Sequence, residues 1–327
     1  MESVTLTTVD FFAPVQDHVA EVERRMRAQA NGQNPDLDAA IDLIISSGGK
    51  RVRPTVSLLV GGMIGASPER VLTLAAAVEL LHTATLVHDD LIDGSLLRRG
   101  MPTLNAQWSP AATILTGDFI FARAAKLAAD TDSIDVMQLF AKTLSTVVGG
   151  EISQMFESKG SASRDDYYNR IYAKTASMFE LAAVAPGYLS DVFSDADLDA
   201  LNRYGYEVGM AFQMVDDVFD FTSEADDIGK PVANDLRQGL ITLPALYYFE
   251  DHAEDLDMVT SSNGHAVGRE DMDRLITAIR DSGAIQQALE EAQQYAERAV
   301  RALDRFPNGS EKQALIDLAN YVVERLI

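Results

Sequence analysis

His82-Thr83-Ala84-Thr85-Leu86-Val87-His88-Asp89-Asp90-Leu91-Ile92-Asp93 closes a long apolar run that begins near Val71. The same acidic pattern returns as Asp216-Asp217-Val218-Phe219-Asp220, again at the end of an apolar run. In each copy the first and last aspartates are four positions apart. On an α-helix that spacing stacks both carboxylates on one face, about 5–6 Å apart. Bare carboxylates so placed repel one another, and apolar surroundings make their charge costly unless a partner is present. A solvated helix end would explain one such motif. Two copies, each accompanied by basic residues, point instead to divalent cations. Mg²⁺ takes one or two carboxylates, keeps some of its waters and leaves positions for phosphate oxygens.

Working outward, Gly48-Gly49-Lys50-Arg51-Val52-Arg53-Pro54 places three cations within four residues beside a helix start that Pro54 marks. Cations so crowded repel unless an anion sits among them. Arg98-Arg99-Gly100-Met101-Pro102-Thr103 follows the first acidic motif, and guanidinium pairs bidentately with diphosphate oxygens. Lys174, beside Thr175, lies inside an apolar helix, where a lysine either snorkels to water or meets an anion. Gln213 stands three residues before Asp216, and Lys230 sits in a polar Gly229-Lys230-Pro231 loop beyond Asp220.

The 327 residues carry a formal net charge of −23, with 7 Lys against 20 Arg. So acidic a chain argues against nucleic acid and anionic membrane surfaces as partners. With no cysteine, disulfides and thiolate metal sites are excluded. The acidic start, Met1 to Pro14, lacks the basic region of a secretory signal. The longest apolar stretch, Val71–Val87, is interrupted by Glu79 and His82, so no stable membrane insertion is expected. These features predict a cytoplasmic protein.

Helical periodicity recurs along the whole chain, and no stretch shows the strict alternation of a strand. Helices are expected over 15–30, 36–46, 55–64, a long segment from Ser67-Pro68 to the first motif, 111–129, 133–157, 165–185, 197–221, 243–249, 272–282, 284–306 and 311–327. Ser223–Gly239 reads as a polar loop, and His252–Arg269 as a mobile one. The prediction is all-α: one domain over 1–327, a single large helical bundle whose two motif helices face each other across a central cavity.

Metals and cations gathered above an apolar pocket suit loss of a diphosphate, with a carbocation left in a dry hydrocarbon cavity. Phosphoryl transfer is the competing chemistry, but it usually shows a phosphate-cradling Gly-rich loop, and no Gly-x-x-x-x-Gly-Lys-Ser/Thr is present.

These motifs together resemble the trans-type (head-to-tail) polyprenyl diphosphate synthases, over nearly the whole chain. The resemblance implies the isoprenoid-synthase bundle, usually a homodimer, and condensation of an allylic diphosphate with isopentenyl diphosphate by ionisation, attack and proton loss. It implies Asp89, Asp90, Asp93 and Asp216 as Mg²⁺ ligands, with Asp220 nearer a metal's water shell. Arg98, Lys174, Gln213 and Lys230 would hold the allylic diphosphate, with Thr175 beside them. Lys50, Arg53, His82 and Arg99 would hold isopentenyl diphosphate. Leu240 departs from the family's shorter-chain members, which often carry a diphosphate-binding lysine there. A terpene cyclase would usually replace the second acidic motif by an Asn/Ser/Glu pattern, and a silent heteromer subunit would be expected to lose motif residues; neither is seen.

Product length should follow from what blocks the pocket beneath Asp89. Ala84 and Thr85 lie one turn back on the same face, and Leu81 lies below them. None is aromatic, whereas short-chain family members often place an aromatic floor there. The expectation is a product of six or more isoprene units (C30 or longer), with geranylgeranyl diphosphate as the runner-up.

Overall fold

A computed structural model describes residues 10–30, 32, 34–157, 162–191, 194–222, 232–260 and 268–324. Its helices are α1 (Gln16–Arg27), α2 (Pro35–Ser46), α3 (Val52–Ile64), α4 (Pro68–Ile92), α5 (Leu104–Gln107), α6 (Pro110–Ala129), α7 (Ile134–Glu157), α8 (Arg164–Ile171), α9 (Ser177–Val184), α10 (Asp195–Thr222), α11 (Asn234–Arg237), α12 (Leu243–Asp251), α13 (Ala253–Thr260), α14 (Arg269–Asp281), α15 (Ala284–Ala302) and α16 (Ser310–Glu324). The all-α bundle is as expected.

α4 and α10 are its two long central helices. In α4, Leu74, Ala75, Ala76, Ala77 and Val78 are all fully buried, so every side of the helix is covered. A helix apolar all round has no solvent face and must lie in a core. α4 is also the one described helix long and apolar enough to cross a membrane, yet 78% of its most apolar window is buried inside the molecule. It packs against α1, α3 and α6, while α10 packs against α9, α15 and α16. Small residues set the closest approaches. A Cβ on Gly209 would lie 2.5 Å from the Ala176 Cα, and one on Gly205 would lie 2.6 Å from the Phe179 carbonyl oxygen. These glycines let α10 sit backbone to backbone on α9 and the segment before it.

The structure departs from the sequence expectations at several points. The predicted helix over 165–185 is three pieces, because Tyr172–Ala176 forms a π-helical turn between α8 and α9. A π turn inserts one residue into the α ladder and re-aims the side chains on it; here those are Lys174 and Thr175. The stretch read as a mobile loop over 252–269 contains α13, whose Val259 is buried in the core. The loop over 223–239 contains α11, and Gly229-Lys230-Pro231 lies outside the described residues. Residues 97–102 form a two-stranded hairpin, β1 (Leu97–Arg98) with β2 (Met101–Pro102), where no strand was predicted. Two-residue strands are too short to leave a periodic trace. Finally, α3 begins at Val52, so Pro54 is its third residue, and Arg51 before it takes a left-handed backbone (φ 48°). The Ser67 side chain makes no capping hydrogen bond to α4.

Candidate active site

A cavity of about 520 Å³ opens between the strap over 48–53, the face of α4, the hairpin and α10. Lys50, Arg53, His82, Asp90, Arg98, Arg99 and Asp216 all line it. One aspartate of each acidic motif, Asp90 and Asp216, thus reaches this space from a different helix, whereas Asp89, Asp93 and Asp220 do not line it. Its apolar wall includes Leu86, Val87, Leu104 and Phe212.

Arg53 is the most telling member. It is 9% exposed, and its guanidinium lies against the touching rings of Phe179 (4.9 Å) and Phe212 (5.9 Å). Its Nε is buried with no hydrogen-bond partner. Burial works against its charge, and Glu79 and Asp216 work for it. An arginine stays ionised under such conditions, so the site demands an anion. His82 feels the same crowd of cations: burial first, then Arg53, Arg98, Arg99 and Arg51, hold its imidazole well below the ordinary value. It is neutral and offers a ring N–H.

Arg51 is a cation of another kind, and it explains how the strap is held. Its Nη1 donates to Glu79 (3.0 Å), its Nε to Glu23 (2.9 Å) and its Nη2 to the Ile45 carbonyl (2.7 Å). The strap is thus pinned to α1, α2 and α4 together. Arg99, left-handed at the hairpin turn (φ 52°), donates to the Gly48 carbonyl. A Cβ on Gly49 would lie 2.8 Å from its Nη1, so any larger residue there would displace that guanidinium. Lys50 donates to the Tyr321 hydroxyl of α16 at 2.8 Å.

Around the metal motifs the side chains form two groups. Asp90 is gripped by Arg98, whose Nε lies 3.0 Å from both carboxylate oxygens and whose Nη2 lies 2.8 Å from Oδ1. Asp89, Asp93 and Lys174 form the other group, with Glu151 of α7 pairing to Lys174 at 3.2 Å. Burial raises the Asp89 carboxyl to about 6; Lys174 opposes that rise, and Glu151 and Asp93 add to it. For Lys174, burial opposes the charge and Asp89 and Glu151 more than offset it. Crowded carboxylates of this kind fit a hard divalent cation. Among the described residues no three acidic side chains converge on a preformed metal site. Diphosphate oxygens and water would complete the coordination, which is the usual state of Mg²⁺.

Thr175 donates to Gln213 Oε1 at 2.6 Å. Asp220 accepts the backbone N–H groups of Asn234 and Asp235, both at 3.1 Å, and so seats the start of α11. Leu240 stands in the turn after α11, its N–H on the Asp235 carbonyl. Ala84 and Leu81 are fully buried and Thr85 half-buried; none of the three lines the cavity. Sequence reasoning counted Arg51 only among the three crowded cations of the strap, and assigned no role to Glu79, Glu151, Asp217 or Tyr167. Each owes its place to contacts with elements remote in the chain, for which a single sequence carries no signal.

Residues 34–279 match the family described as "Polyprenyl synthetase". The chain is 33% identical to an octaprenyl diphosphate synthase of Haemophilus influenzae, covering 99% of each protein. It is 34% identical to an octaprenyl diphosphate synthase of Escherichia coli, over 86% of this chain and 88% of that one. A polyprenyl synthase of Caulobacter crescentus, solved with calcium and isoprenyl diphosphate, superposes with a TM-score of 0.89 at 33% identity, covering 98% of both chains. With its all-α fold, its paired acidic motifs above one cation-lined cavity and these relatives, the chain belongs to the polyprenyl synthetase family.

Proposed function

We propose that this protein is a single-domain, Mg²⁺-dependent synthase that lengthens an allylic diphosphate with isopentenyl diphosphate to a polyprenyl diphosphate of six or more isoprene units. The observation that carries the reading is Arg53: a buried guanidinium with an unpartnered Nε, facing a cavity that two acidic motifs share. Lys50, Arg53, His82 and Arg99 bind the isopentenyl diphosphate. Arg98, Lys174, Gln213 and Lys230 bind the allylic diphosphate. Asp89, Asp90, Asp93 and Asp216 are the metal ligands, and Asp220 acts through water. Bound there, Mg²⁺ would offset the charge of the leaving diphosphate.

The residues divide the work by charge. Lys174 and Arg98 stabilise the diphosphate as its bond to carbon breaks. Arg98 exchanges its grip on Asp90 for phosphate oxygens when substrate arrives. Leu86, Val87 and Phe212 keep water from the cation that forms. The absence of an aromatic residue at Ala84, Thr85 and Leu81 supports a long product, as do the octaprenyl names of the relatives.

The same reading makes the protein a cytoplasmic homodimer. Ile114 and Leu115 on α6, and Val148, Ile152 and Met155 on α7, are exposed apolar residues that a second copy would cover. The test is incubation of purified protein with isopentenyl diphosphate, an allylic primer and Mg²⁺, with product sizing by mass spectrometry. Consumption of isopentenyl diphosphate into products of C30 or longer is expected; no consumption defeats the reading.

A further inference from the structure

Asp217 sits between two proposed metal-binding positions in the second acidic motif, yet its surroundings are of another kind. It is 3% exposed. One helical residue is about 100° of rotation, so Asp217 points away from the face that Asp216 presents to the cavity. It points to Tyr167 of α8, which is 1% exposed. The Tyr167 hydroxyl donates to Asp217 Oδ2 at 2.8 Å, and Gln213 Nε2 donates to Asp217 Oδ1 at 2.9 Å. Gln213 Oε1 in turn accepts from the Thr175 hydroxyl at 2.6 Å.

This chain of bonds has one workable direction. Gln213 and Asp217 are four residues apart on one face of α10. With Asp217 ionised, a flipped amide would set its oxygen against a carboxylate oxygen, two acceptors with no proton between them. Asp217 therefore selects one orientation of the Gln213 amide, and that orientation aims the Thr175 hydroxyl. Tyr167 holds Asp217 from the far side. The three links join α8, the π turn and α10.

We infer that Asp217 and Tyr167 are positioning residues: they lock the Gln213 amide and the Thr175 hydroxyl in one arrangement, and Asp217 is not a metal ligand. The inference rests on the proposed role of Gln213 at the allylic diphosphate.

Conservative replacement separates the two roles. In Asp217→Asn the carbonyl still accepts from Gln213, while the NH₂ donates to the Tyr167 hydroxyl. A positioning role is kept by this change; a metal-ligand role is not. Asp217→Ala is expected to lower kcat about a hundredfold, and Asp217→Asn to restore most of that loss. Tyr167→Phe is expected to lower kcat about tenfold with KM for isopentenyl diphosphate unchanged. In a Gln213→Ala background Tyr167→Phe should cost almost nothing, because its effect runs through the amide.

Mg²⁺ binding, measured by calorimetry with inorganic diphosphate present, provides a readout apart from turnover. Asp217→Asn and Tyr167→Phe should keep the wild-type affinity, whereas Asp216→Asn should lose it. The inference is overturned if Asp217→Asn is as impaired as Asp217→Ala with weakened Mg²⁺ binding. It is also overturned if the Tyr167→Phe and Gln213→Ala losses multiply. Should Asp217→Ala fail to fold, the Asn and Phe variants decide alone. A wild-type protein that consumes no isopentenyl diphosphate would count against the functional reading, and the calorimetry would still judge Asp217.

Discussion

Arg51 and Glu79 form an ion pair 3.0 Å long inside the bundle, with both side chains less than a tenth exposed. Arg51 is the left-handed residue just before α3, so the pair fixes where the basic strap meets the wall of α4. Removing one partner of a buried pair leaves the other charge stranded, which costs about 3–5 kcal/mol. Glu23 still holds Arg51, so Glu79→Ala is expected at the lower end, about 3 kcal/mol, by chemical denaturation. Replacing both with apolar residues, Arg51→Met with Glu79→Leu, should cost less than the single change. A double variant as damaged as Glu79→Ala would refute this account of the strap.

Arg53 calls for the opposite result. Its unpartnered Nε and its burial are a cost carried by the free protein. Arg53→Met removes that cost and keeps a slender apolar side chain against Phe179 and Phe212. The loss of the cation–π contacts offsets part of the gain. Tm should rise by about 2 °C, while KM for isopentenyl diphosphate rises on the order of a hundredfold. Stability and function moving together would show that the guanidinium is structural and not an anion hook.

The raised carboxyls give a pH signature. Asp89, at about 6 through burial, holds its proton up to that pH and must release it before binding a cation. Mg²⁺ affinity should therefore climb by up to about tenfold per pH unit below about 6 and level off above it. In the metal-free protein the sign for stability is reversed. The folded state keeps a proton that the unfolded state has already lost, so stability falls as pH rises from the ordinary carboxylate value towards about 6. Asp217, raised to about 7 by burial and then by Asp235, extends that fall. Calorimetric Mg²⁺ titrations and thermal melts across this range check both signs. A flat Mg²⁺ profile would show that Asp89 is not a ligand.

Much of this architecture is visible in the residues. The apolar run before Asp89 announces α4 because a helix covered on every side needs no polar face, and the doubled aspartate spacing announces the second motif helix. The basic strap is legible because three crowded cations require an anion. Which cation meets the anion is not legible: Arg51 and Arg53 are two positions apart and both line the cavity, yet one is tied to Glu23, Glu79 and Ile45 while the other keeps an unpartnered Nε. The π turn at Tyr172–Ala176 follows from α8 and α9 packing differently, a tertiary demand with no mark in propensity. Asp217 reads as a motif aspartate in sequence and becomes a different residue once Tyr167, fifty positions away, is beside it.

Ala84 is fully buried one turn before Asp89 and does not line the described cavity. A growing chain that passes it must part α4 from its neighbours, and a methyl side chain is the smallest obstacle that a non-glycine residue offers. Ala84→Phe puts an aromatic ring in that path. Overpacking of this kind costs about 1–3 kcal/mol, so a lowered Tm is expected along with the change in product. Products should shorten, because the ring would stand five residues before Asp89, only about 7.5 Å away at a rise of about 1.5 Å per residue. Isopentenyl diphosphate affinity should stay as it was, because Arg53 and His82 line the cavity and Ala84 does not. If mass spectrometry finds the Ala84→Phe products as long as those of the wild type, the chain grows along a path that does not pass this turn of α4.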